Sequence, residues 1–136
     1  MKKMINISMI YFIFAMIGGV FYREFTKHMM FYGKTTLSVV HVHLLALGTL
    51  LFLILALFCK DTELEQNDYF KRFLLLYNIS LPLMVAMFVC RGIVQVMEIT
   101  LSKAEYSAIS GIAGVSHIFL TVAFVFLFLA LKKIAK

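Results

Sequence analysis

The sequence predicts an all-α integral membrane protein, a four-helix bundle forming one domain over residues 1–136 with both termini cytoplasmic. Three observations carry that prediction. The chain is 62% hydrophobic with mean hydropathy +0.96 and only 15% charged residues, more apolar than a soluble domain of 136 residues can be. Its apolar residues fall into four runs, at about 4–22, 37–58, 73–97 and 107–131. Each is near the roughly 20 residues that cross a bilayer core as helix, and helices satisfy every backbone polar group without water. The third observation is charge asymmetry. Lys2, Lys3, Lys60, Lys71, Arg72, Lys132, Lys133 and Lys136 fall on the side of the termini and the central loop, against Arg23, Lys27, Lys34 and Lys103 on the other. By the positive-inside rule, the richer side is cytoplasmic. The net charge of +6 is therefore assigned to topology and anionic lipid rather than to nucleic acid, which is not expected as a partner.

In the first span, Lys2 and Lys3 precede an apolar run that imitates a signal peptide. The run continues through Gly18 and Gly19 with no small-x-small cleavage site, so the span is expected to be retained. The loop that follows, FYREFTKHMMFYGK, is aromatic enough to sit at the headgroups, with Gly33 at the turn back into the bilayer. Its His28, Met29 and Met30 could hold Cu(I) through imidazole and thioether, or the methionines could simply cover apolar surface.

The second span carries His41 and His43. At helical pitch they stand roughly 200° apart around the axis, so one ion cannot take both. Ionisable groups at that depth are costly and mark function by default. The central loop, KDTELEQNDYFK, offers no phosphate cradle and no metal-ligand spacing, and reads as a solvated connector.

The third span contains Pro82, which removes a backbone bond and is expected to kink the helix near Asn78. Met84, Met87, Arg91, Gln95 and Glu98 recur at helical spacing on one face. Arg91 can snorkel outward, pair with Glu98 or meet an anionic ligand group. In the fourth span Ser110, Ala113, Gly114 and Thr121 lie near the face of His117, allowing close helix packing or a flat wall for a planar ligand. Cys59 and Cys90 fall at opposite depths under this topology, which argues against a mutual disulfide. The absence of CxxCH argues against covalent haem attachment.

His41, His43, Arg91 and His117 thus converge on one layer in the outer half. Two neutral imidazoles on facing helices can hold the iron of a b-type haem, with an arginine on a propionate. His43 and His117 are the expected axial pair, and Gly48, Ser110 and Gly114 are expected to make room. His41 is left for a second site, another subunit or a quinone-like ligand. The competing readings are histidines that fix helix packing by interhelical hydrogen bonds, and a copper or zinc site built on His41 or His117 with Met or Cys90. The function expected is electron transfer or haem sensing by a homo-oligomer, with quinone or a respiratory protein as candidate partner. The alternative is a non-catalytic membrane assembly or transport factor whose histidines are structural, proton-relay or copper-binding groups. No serine has a carboxylate-oriented base, so hydrolysis is not expected.

His41-Val42-His43-Leu44 followed by Gly48 resembles the H-x-H-L-x-x-x-G stretch of the catalytic subunit of haem-copper oxidases, especially the nitric-oxide-reductase type. That resemblance implies His43 as ligand to a low-spin haem and His41 as ligand to a high-spin haem on the opposite helix face. Over its full length, with GVFYREFTK, GKTTLSVVHVHLLALG and Ser116-His117, the chain resembles a family of small bacterial four-helix membrane proteins catalogued as a domain of unknown function. This implies the bacterial cytoplasmic membrane and supplies no activity.

Overall fold

The computed structural model describes residues 1–135; Lys136, counted above among the charges on the side of the termini, lies outside them. Four helices long and apolar enough to cross a membrane run through it: α1 (Lys2–His28), α2 (Leu37–Phe58), α3 (Asp68–Val96) and α4 (Lys103–Ile134). A short 3-10 turn at Leu64–Gln66 sits in the central loop. The helices form two antiparallel pairs, α1 on α2 along its whole length and α3 on α4, joined chiefly where the half of α2 away from the chain termini, called outer below, meets α3. The terminal ammonium of Met1 pairs with Glu65 of the central loop, and Lys133 and Ile134 close on Lys60 to Glu63. Both ends and the central loop therefore share one side.

The helices overrun their predicted spans because apolar runs mark only the part in hydrocarbon, whereas caps decide where the backbone stops. Asn67 caps α3 by accepting from the Tyr69 amide, and Ser102 and Glu105 cap α4 reciprocally. At their outer ends α1 and α3 stop the same way. Met30 and Glu98 adopt left-handed backbone, at φ 50° and 53°. The amides of Phe31 and Ile99 then reach back to Thr26 and Val94, at 2.9 and 3.1 Å. The left-handed residue of the first outer loop is thus Met30, whereas Gly33, expected to make the turn, has no positive φ. Helix α3 continues through Pro82.

On the side of the termini the core is aromatic. Phe52, Phe70, Phe73 and Tyr77 are wholly buried, with Tyr77 packed edge-on against Phe52 and Phe124. In lipid such packing is stabilised by close contact more than by water exclusion. Buried polar groups here are paired: Tyr11 donates to Asn78 Oδ1 at 2.9 Å, and Tyr77 donates to the Leu47 carbonyl at 2.8 Å. Leu47 lies in a π-helical segment, Leu44–Leu50, that interrupts α2. Widening a helix to i→i+5 bonding loosens its carbonyls, and two of them find side-chain donors, Tyr77 on Leu47 and Ser8 on Thr49 at 2.8 Å. Gly48 lies in that segment because a Cβ there would stand 2.5 Å from Tyr11.

Candidate functional site

The outer half is positioned by the first turn of α2. Thr35 Oγ1 donates to the Gly92 carbonyl at 3.1 Å, and Thr36 Oγ1 donates to the Phe88 carbonyl at 2.8 Å. The Thr36 amide donates to Gln95 Oε1 at 2.8 Å. Gly92 permits this approach, since a Cβ on it would meet Leu37 at 2.5 Å. The entry to α2 is thereby pinned to α3, two turns before His43.

His43 packs edge-on against Phe88 of α3, with ring centroids 5.0 Å apart. The other neighbour of Phe88 is His117 of α4, again edge-on, at 6.1 Å. The two imidazoles therefore flank one aromatic side chain and lie no more than about 11 Å apart. Each has its Nδ1 on the carbonyl four residues earlier, His43 on Val39 at 2.8 Å and His117 on Ala113 at 2.7 Å. A carbonyl can only accept, so Nδ1 carries the proton in both. In the neutral ring Nε2 keeps its lone pair, the arrangement by which a histidine presents itself to a metal.

Arg91 is half-buried and donates from Nη2 to Ser110 Oγ at 2.9 Å, with its guanidinium 5.9 Å from the Tyr106 ring. Among the three sequence expectations for Arg91, pairing with Glu98 is absent from the described ion pairs. Gly111 and Gly114 on α4 face open space, with nothing within 4 Å of an added Cβ, and His117 is exposed beside them.

His43, His117, Arg91, Ser110 and Gly114 thus border one region of α3 and α4, whereas two expected members stand elsewhere. Gly48 is filled by Tyr11 of α1, and His41 lies against α1, its Cβ 3.6 Å from where Gly19 would carry one. His41 Nδ1 is buried without a hydrogen-bond partner. Sequence reasoning missed Phe88, whose only signal was its place one turn before Arg91. Among the described residues no three His, Cys, Asp or Glu side chains converge on a metal position. His28, Met29 and Met30 are exposed at the end of α1, and Cys59 and Cys90 are free, the first buried and the second exposed.

These features define a multi-pass α-helical membrane protein with one aromatic core and one imidazole layer. Residues 1–134 match the family model described as Protein of unknown function (DUF2871), and the chain belongs to that family. No curated protein and no solved structure matches it. The likeness of the His41 to Gly48 stretch to haem-copper oxidases therefore gains no support from the comparisons.

Proposed function

We propose that this protein binds haem b in the outer half of a bacterial cytoplasmic membrane, with His43 and His117 as axial ligands, and serves in electron transfer or haem sensing. The observation that carries the reading is the shared tautomer of two imidazoles, on α2 and α4, that pack against one side chain of α3. Two ligands suffice for haem, so a cluster of three is not needed. When bound, the group would supply a reversible one-electron change at iron.

The chain's own residues would do the rest. Val39 and Ala113 fix the ring orientations through their carbonyls. Arg91 has donors beyond the one given to Ser110 and would neutralise a propionate. The open faces of Gly111 and Gly114 leave room along α4. Phe88 packs against both imidazoles and would have to give way to a ligand reaching both, so Phe88→Ala should speed haem uptake. Exposure of His117 and the glycines on α4 favours a second copy covering this face. His41, turned away toward α1, is outside the axial pair.

The test is purification in mild detergent from haem-sufficient cells, followed by oxidised and reduced spectra and a pyridine haemochrome assay. About one b haem per chain with sharp reduced α and β bands is expected. A colourless preparation that rejects added haem would contradict the reading and return the histidines to a packing or proton-relay role in an assembly or transport factor.

A further inference from the structure

Helices α1 and α3 do not close on each other along their length. Between them runs an apolar cleft of about 490 Å³, floored by Val40 and Leu44 of α2 and walled by Phe14 and Gly18 on one side and Pro82 and Val89 on the other. Toward the termini it adjoins a second and more polar hollow, which shares Ile7 and Asn78 with it and is bordered by Lys3 and Lys71.

The cleft offers little to a polar ligand. The Tyr11 hydroxyl is spent on Asn78 Oδ1, and Asn78 Nδ2 is spent on the Leu74 carbonyl at 2.7 Å. The mouth is different. Glu65 is engaged by the terminal ammonium, Lys71 shares an exposed pair with Asp68 at 3.2 Å, and Lys3 has no acid partner among the described ion pairs. An alkyl chain above and a phosphate below match that division. From Ile7 to Phe21 the α1 wall runs about 21 Å at helical rise, enough for the ~15 Å of one leaflet's hydrocarbon, with Lys3 about one turn beneath it.

We propose that this cleft holds one acyl chain of an anionic phospholipid from the leaflet on the side of the termini, its phosphate seated on Lys3 and Lys71. The site is separate from the imidazole layer and stands or falls without it. Basic side chains near a membrane surface attract anionic headgroups additively, so two of them should favour an anionic over a zwitterionic headgroup by roughly 30-fold.

Native mass spectrometry of the delipidated full chain, titrated with phosphatidylglycerol and phosphatidylcholine of identical acyl chains, tests this. One phosphatidylglycerol per chain should persist, with phosphatidylcholine retained far more weakly. Lys3→Gln with Lys71→Gln should bring the two lipids level, and Ala86→Trp, which fills the cleft from a lipid-exposed position, should weaken both. Equal retention of the two lipids by the unaltered chain would overturn the proposal. So would undiminished phosphatidylglycerol binding in the lysine variant, whose changes lie outside the core and leave the fold intact.

Discussion

The two halves of the bundle solve opposite problems with the same helices. Near the termini the buried aromatic side chains interlock and every buried polar group named above has a partner: Phe52, Phe73 and Tyr77 leave no surface, and Tyr11, Asn78 and Ser8 bond across helices. In the outer half, side chains able to bind are left uncommitted. His117 and Gly114 are exposed, Nε2 of His43 and His117 is free of the carbonyl bonds that hold Nδ1, and Phe88 packs against both rings. The aromatic core lies in one half, and the ionisable side chains that are costly in lipid lie in the other.

Substitutions should separate the halves. The largest effect is expected from Tyr77→Ala, which empties the centre of the aromatic core and removes the donor to Leu47; a loss of about 3–5 kcal/mol should appear in thermal unfolding in detergent. Next comes a pair of identical changes. Gly48→Leu must collide with Tyr11, which its bond to Asn78 holds in place, and should destabilise by about 2 kcal/mol or more. Gly114→Leu meets nothing and should shift stability by less than about 0.5 kcal/mol while lowering haem uptake. If both variants unfold alike, the open face of α4 is in fact packed, and the contrast between halves fails.

Thr36→Val removes the donor to the Phe88 carbonyl, and should cost about 1 kcal/mol, within the range found for hydrogen bonds between membrane helices. It should also loosen the placement of His43, seen as a broadened spectrum rather than a lost one. The smallest effect concerns Cys59, just past the end of α2. Burial, with the Glu65 carboxylate adding to it, pushes its thiol above the ordinary range. The thiolate is the reactive form, so alkylation in opened vesicles should be slow at neutral pH and climb at pH values above those of a free thiol. Glu65→Gln should advance that rise toward lower pH.

The membrane class and the four helices were legible because hydropathy is a property of the chain itself. Their ends were not: α3 begins at Asp68 and α4 at Lys103, where Asn67 and Ser102 cap them outside the apolar runs. For the candidate site, His43, Arg91 and His117 stood out as ionisable groups in apolar segments. What joins them did not. Phe88 is one phenylalanine among fourteen, and only tertiary packing brings it against two imidazoles. The π segment at Leu44–Leu50 has no local sequence signal, and the donors that its carbonyls meet, on α1 and α3, lie far away in sequence. Gly48 illustrates the limit of spacing: its place after His43 suggested room for a ligand, whereas the side chain of Tyr11 takes that room.

The decisive measurement is the reduced absorption spectrum of three variants prepared in parallel, His43→Ala, His117→Ala and His41→Ala, each checked for a thermal transition near that of the unaltered chain. Loss of the low-spin α and β bands in the first two, with the bands retained in the third, is the expected result. Bis-histidine bands surviving in both His43→Ala and His117→Ala would contradict the assignment of the outer half as a haem site held by that pair.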